Sequence, residues 1–176
     1  MVKHARGSNK KKAKKKKAAA PNGVLPSACA DHSSTAFDWK TEGNAAFAIC
    51  NYQDAVVAYT KGLECKVPDT ELMVQLYSNR AQAYNKRHAF SNAEADCTTI
   101  LKKLKVTSKP KVWYRRAVAR EGMAMSAPRD IRKFLEAAKS DLHECLKLEI
   151  DNEMERSVAV VDARLKKALE GLEVEE

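Results

Sequence analysis

The chain has 176 residues and a formal net charge of +9, from 32 basic and 23 acidic residues. Nine of the basic residues and none of the acidic ones lie in residues 1–20, so the remainder has no net charge. A folded domain that binds nucleic acid through surface charge alone is therefore not expected in the remainder of the chain. A membrane span is not expected either, since the apolar stretches are far shorter than the roughly 20 residues that a span needs. Five widely spaced cysteines without a CxxC pair indicate reduced thiols in a cytosolic or nuclear protein.

Residues 1–35 are predicted to form a disordered polybasic arm. Lysine fills seven of the eight positions in 10–17, and 18–35 combine proline and glycine with small residues. Such a composition does not form a packed core. Three roles stay open for the arm: a solubilising extension, a signal read by a nuclear import receptor, or a tether through residues 3–17 to RNA, the ribosome or another polyanion.

From residue 36 onwards the pattern is helical. Apolar residues recur at spacings of three and four, and no useful length alternates as a strand does. Breaks divide this part into seven helices of about 10–20 residues, mostly in pairs. The break signals are Asn51, Val67-Pro68-Asp69, Ser91-Asn92, Ser108-Lys109-Pro110, Ser126-Ala127-Pro128 and Asp151-Asn152.

Three segments repeat one pattern. In each, an aromatic residue is followed four positions later by a small one. A second helix then has a small residue, a bulkier residue four positions later, and a small or apolar residue three positions after that. The aromatic and small residues are Trp39 and Gly43, Tyr77 and Ala81, and Trp113 and Ala117. The third segment is longer, and Pro128 predicts an irregular corner within it. A last helix, about 153–172, has one apolar stripe and charged remaining faces, which is typical of a cap.

This pattern resembles the tetratricopeptide repeat over residues 36–172. The resemblance implies an all-α fold: a right-handed α-solenoid of three helix-turn-helix repeats with a C-terminal capping helix. Residues 173–176 would follow as a short acidic tail. In such a solenoid the first helix of each pair lines a concave surface.

Five polar residues on these first helices are predicted to converge. Two pairs share a helix face at i, i+4, and one asparagine lies between them. The five are Lys40, Asn44, Asn79, Lys111 and Arg115. Three cations and two amides, without an acid, suit an anion with several acceptors, such as a peptide's terminal carboxylate beside an acidic side chain.

The same set is similar to the two-carboxylate clamp of co-chaperone tetratricopeptide domains. Those domains hold the C-terminal Glu-Glu-Val-Asp of cytosolic heat shock protein 70 and 90 chaperones, so the resemblance implies this peptide as the partner. Four further residues are predicted, by helix geometry, to line the adjoining groove: Phe47, Gln82, Asn85 and Lys86. We expect a monomer with no cofactor, no metal and no membrane contact.

A second hypothesis is a nucleic-acid- or ribosome-associated factor that acts through the arm while its repeats hold another peptide. An enzyme is not expected, because the four histidines lack metal-ligand spacing and no phosphate loop or nucleophile motif is present. Asp96, Asp141 and Asp151 are expected at helix surfaces or ends, in solvated or capping roles.

Overall fold

The computed structural model of the protein describes residues 32–65, 69–126 and 128–173. In these residues there are seven α-helices and no strand, which confirms the predicted all-α class. The helices are α1 (His32–Ala48), α2 (Tyr52–Glu64), α3 (Thr70–Lys86), α4 (Phe90–Thr98), α5 (Pro110–Ser126), α6 (Ile131–Leu146) and α7 (Asn152–Glu173). A π-helical turn, Thr99–Lys103, extends α4, and a 3-10 turn, Pro128–Asp130, precedes α6. The predicted arm lies outside the described residues except at 32–35, where α1 has already begun.

Several predicted breaks act as helix N-caps. The Asp69 carboxylate accepts hydrogen bonds from the backbone N–H groups of Glu71 and Leu72, at 3.0 and 3.3 Å. The Asp151 carboxylate accepts one from Met154 at 2.7 Å, which confirms its capping role. These bonds satisfy amide groups that have no partner inside the helix, so α3 and α7 begin where a short acidic side chain is available.

Successive helices pack side by side in chain order, and the first helices of neighbouring pairs also touch, α1 against α3 and α3 against α5. Close packing depends on small residues. A Cβ atom on Gly43 would lie 2.4 Å from the Tyr59 ring, so glycine allows α1 to approach α2. α7 buries Val158, Val161 and Leu165 against the third pair, which confirms it as the capping helix.

The expectation that Asp96 and Asp141 are solvated surface residues is wrong. They are 5% and 2% exposed. Asp96 accepts both branches of a fork from Arg80 at 2.7 and 2.8 Å. Asp141 accepts the same fork from Arg116 at 2.7 and 3.0 Å. The aspartates are buried because an arginine on the first helix of the same pair supplies a bidentate, charge-assisted partner.

The same arginines also reach back to the preceding pair. Arg80 donates to the Thr60 hydroxyl at 2.9 Å, and Arg116 donates to the Thr98 hydroxyl at 3.4 Å. Arg120 adds a second pair with the Asp141 carboxylate at 2.8 Å. Each repeat boundary is thus joined by a partly buried polar contact in addition to apolar packing.

Candidate functional site

The five predicted residues lie on α1, α3 and α5, the first helices of the three pairs. Asn79, Lys111 and Arg115 line one cleft of about 380 Å³ between α3 and α5. Ser78 and Gln75 of α3 also line it. The structure therefore brings three of the five residues together directly, and the two α1 residues contact this cleft through neighbours on α3.

Asn44 reaches the cleft through Asn79. Its Oδ1 accepts a hydrogen bond from the Asn79 Nδ2 at 3.1 Å and another from the Tyr59 hydroxyl at 2.8 Å. Burial raises the pKa of the Tyr59 hydroxyl to about 12, so it stays a donor at neutral pH. With its oxygen occupied, the Asn44 amide group has its N–H donors left for a ligand.

Lys40 is held by a neutral group. Its Nζ donates to the Gln75 Oε1 at 2.8 Å and lies 4.5 Å from the centre of the Phe37 ring. Because neither contact is with a carboxylate, the charge of the ammonium is not compensated by these partners, and the ammonium has further N–H donors for a ligand.

Arg115 is a half-buried cation whose hydrogen-bond partners are neutral. It donates to the Ser78 hydroxyl and to the Gln82 side-chain carbonyl. No carboxylate in the described part of the chain pairs with it, and burial lowers the pKa of its guanidinium. Lys111 is exposed and has no partner among the residues that the structure describes. Both cations are therefore available to an incoming anion.

An acid also lines the cleft beside the five predicted residues, because Glu71 contributes to its wall. Its carboxylate accepts a hydrogen bond from the Lys109 ammonium at 3.0 Å and one from the Gln75 amide at 3.3 Å. The hydrogen bond from Lys109, and to a smaller extent that from Gln75, lowers the pKa of the Glu71 carboxyl. Glu71 is thus ionised at neutral pH and offset by Lys109.

A second cleft of about 710 Å³ adjoins the first and shares Arg115 with it. Three of the four further residues predicted for the adjoining groove line this cleft: Gln82, Asn85 and Lys86. Asn85 also joins α3 to α5, because its Nδ2 donates to the Arg115 carbonyl at 2.8 Å. Since Arg115 lies on both clefts, they form one groove along the concave side.

Phe47 does not line either cleft. It packs with the apolar core between α1, α2 and α3, and its ring meets the Tyr52 ring edge-on with 5.2 Å between the centroids. The structure thus places Phe47 in a packing role within the first repeat. Six of the other eight predicted residues line the groove, and Lys40 and Asn44 form hydrogen bonds with residues that line it.

Sequence reasoning missed four residues that hold the site in place: Tyr59, Glu71, Gln75 and Ser78. Gln75 and Ser78 had an available signal, since they precede Asn79 and Gln82 by one helical turn and so share the concave face. Tyr59 offers no such signal, because it belongs to the apolar core of the first pair.

Among the described residues, no group of three or more His, Cys, Asp or Glu side chains is arranged to hold a metal ion. Nor is any described helix both long and apolar enough to cross a bilayer.

Comparisons with known proteins agree with this geometry. No protein-family model matches the chain. Human Tetratricopeptide repeat protein 12 is 46% identical over 63 residues, which cover 36% of this chain and 8% of that protein. The second TPR domain of Spaghetti (RPAP3), solved bound to the HSP90 peptide SRMEEVD, is 30% identical with a TM-score of 0.54, over 67% of this chain and 90% of that one. The chain belongs to the tetratricopeptide repeat family.

A further solved member of the family is the second TPR domain of human RPAP3, in complex with the HSP70 peptide SGPTIEEVD. It is 28% identical with a TM-score of 0.62, over 77% of this chain and 98% of that one. These likenesses confirm the resemblance that the repeat phrases indicated. The chain spans less than a fifth of the length of the curated relatives it matches.

Proposed function

We propose that this tetratricopeptide protein is an adaptor that binds the acidic C-terminal peptide, of the Glu-Glu-Val-Asp type, of cytosolic heat shock protein 70 or 90 chaperones. The binding residues would be Lys40, Asn44, Asn79, Lys111 and Arg115. The observation that carries the proposal is the cleft between α3 and α5, in which Lys111 and Arg115 have no acidic partner among the described residues.

Each residue type has a separate task in this proposal. Lys40 and Lys111 supply point charges, and Arg115 supplies a planar fork that matches a carboxylate. The amides of Asn44 and Asn79 supply neutral donors. Charge-assisted hydrogen bonds contribute roughly 1.5–3 kcal/mol each. After the costs of ordering a flexible peptide, we expect micromolar binding, on the order of −8 kcal/mol.

The residues upstream of the peptide's terminus would continue into the second cleft, because Arg115 lies on both. There Lys86 is an exposed cation and Gln82 a neutral partner of Arg115, while Phe90 and Val118 supply apolar surface. Glu121 also lines this cleft and is paired with Arg164 at 2.8 Å, so the lining fits a ligand with apolar and acidic side chains before its terminal carboxylate.

Such a protein would act by recruitment or competition and not by catalysis, and we place it in the cytosol with its chaperone partner. Two solved relatives were bound to peptides of this kind, which supports the choice of ligand. The role of residues 3–17, towards a polyanion or an import receptor, stays a prediction because these residues lie outside the described structure.

Isothermal titration calorimetry on the full chain tests the proposal. The ligand is Ser-Arg-Met-Glu-Glu-Val-Asp, and the same peptide with an amidated C-terminus is the control. We expect micromolar binding that weakens more than tenfold on amidation and in Lys111→Ala. Lys139→Ala, which removes an exposed lysine from the second helix of the third pair, matches the change in charge and is expected to bind normally.

Absence of binding by the free-carboxylate peptide would refute the proposal. Equal binding of the amidated peptide would refute the clamp as its mechanism. An equal loss in Lys111→Ala and Lys139→Ala would mean that general positive charge, and not the cleft, attracts the peptide.

A further inference from the structure

Gln75 lies on α3 one helical turn before Asn79 and takes part in a continuous chain of hydrogen bonds across the clamp cleft. Lys40 Nζ donates to Gln75 Oε1 at 2.8 Å, and Gln75 Nε2 donates to Glu71 Oε1 at 3.3 Å. Lys109 Nζ donates to the same Glu71 oxygen at 3.0 Å. We propose that Gln75 is a positioning residue of the clamp, which holds the Lys40 ammonium of α1 at the cleft formed by α3 and α5. This inference rests on the proposed function.

The orientation of the Gln75 amide is set from both sides. Its oxygen can only accept and its nitrogen can only donate. If the amide were turned round, its N–H groups would face the Lys40 ammonium and its oxygen would face the Glu71 carboxylate, so both contacts would become repulsive. Glu71 therefore fixes which end of Gln75 meets Lys40, and Lys109 offsets the charge of Glu71.

A neutral acceptor suits this task better than an acid. An ammonium has three donors and no acceptor, so one bond to Gln75 leaves two donors for a ligand. A carboxylate at the same place would form an ion pair with Lys40 and would compete with the peptide's own carboxylate. Gln75 restrains Lys40 without compensating its charge.

Loss of the restraint on Lys40 is expected to weaken peptide binding. A lysine side chain loses conformational entropy when it is fixed, and a side chain held before binding has less to lose at that step. Without Gln75, Lys40 keeps only the contact with the ring of Phe37, a residue that is 54% exposed. We therefore expect the peptide to bind three- to tenfold more weakly in Gln75→Met, which keeps the length of the side chain and removes both polar ends.

A double-mutant cycle separates positioning from a direct contact. Peptide affinity is measured in wild type, Gln75→Met, Lys40→Ala and the double variant. If Gln75 acts through Lys40, Gln75→Met has no further effect once Lys40 is alanine. The matched cycle with Lys111→Ala is expected to keep the full three- to tenfold loss, because Gln75 does not contact Lys111. The same loss in the Lys40→Ala background would overturn the inference.

A measurement without peptide makes the inference independent of the proposed ligand. Nuclear magnetic relaxation of the Lys40 Cε group reports its motion on the picosecond-to-nanosecond timescale. We expect Lys40 to be more ordered than the exposed Lys139 in wild type and equally mobile in Gln75→Met. A Lys40 that is as mobile as Lys139 in wild type would overturn the inference even if the peptide binds. Failure of the peptide to bind, with Lys40 ordered by Gln75, would refute only the proposed function.

Discussion

Replacing Asp141 by asparagine tests the buried charges that hold α5 in place. Asp141 accepts hydrogen bonds from Arg116 at 2.7 and 3.0 Å and from Arg120 at 2.8 Å. The side chains of Asp141 and Arg116 are only 3% and 8% exposed. Because asparagine has the same shape, the substitution leaves no cavity and changes only the charge and one acceptor.

Removing one partner of a buried ion pair costs about 3–5 kcal/mol, since the other charge is left buried without compensation. Arg116 keeps the Thr98 hydroxyl and Arg120 keeps Glu94, at 3.4 and 3.0 Å. These remaining contacts place the expected loss in the free energy of unfolding at the lower end, about 3 kcal/mol. For a urea dependence of about 1–3 kcal/mol per molar, the midpoint falls by roughly 1 M or more.

Urea denaturation followed by circular dichroism measures this loss. The control is Glu144→Gln, which removes an acid from a pair with Lys147 whose side chains are 39% and 55% exposed. Exposed pairs contribute little to stability because solvent screens their charges, so the control should barely shift the midpoint. If Asp141→Asn costs no more than this control, the network does not stabilise the fold through buried charge and the reasoning is wrong.

Three smaller changes examine the groove. Arg115→Lys is expected to weaken peptide binding about tenfold in calorimetry, because one ammonium does not replace a bidentate fork; wild-type affinity would show that the fork is unused. Glu71→Gln keeps an acceptor for Gln75 and removes a negative charge that repels the carboxylates of the peptide. Peptide binding should therefore tighten a few-fold at low salt, and the gain should shrink as salt rises. Weaker binding would contradict this. Burial raises the pKa of folded Tyr59 from 10.0 to about 12, so the unfolded chain loses this proton first and stability falls between pH 10 and 12. In Tyr59→Phe the decline in melting temperature over that range should be shallower than in wild type, and equal declines would argue against it.

The main features of the groove were predictable because repeat position and helix period together fix where a side chain points. Gly43, Ala81 and Ala117 occupy equivalent places in three helix pairs, so residues at fixed offsets from them face the same side. Asn79 and Arg115 each precede the small residue of their repeat by two positions, and both line the cleft between α3 and α5.

The contacts between neighbouring helices were not predictable in the same way. Periodicity gives the face of a residue but not the lateral offset of the adjacent helix, so it could not show that Lys40 meets Gln75 or that Glu71 enters the cleft. The burial of Asp141 had a partial signal in the repeated phrase Arg-Ala of α3 and α5. The unequal lengths of the second and third repeats obscured it, because the partner aspartate follows at a different distance in each.

Arg115 and Arg116 are adjacent on α5 but have different roles, one in the groove and one in the packing of the solenoid. Consecutive residues on a helix point about 100° apart, so the two guanidinium groups face different surroundings. Arg116 meets a buried carboxylate, and its charge is compensated inside the protein. Arg115 meets a hydroxyl and an amide, which orient it without compensating its charge. The same division holds for Lys40, whose acceptor is the neutral Gln75. Arg116, which builds the solenoid, is thus paired with an acid, whereas Lys40 and Arg115 of the groove are held by neutral groups, so an acidic ligand would compensate the charges of these two cations.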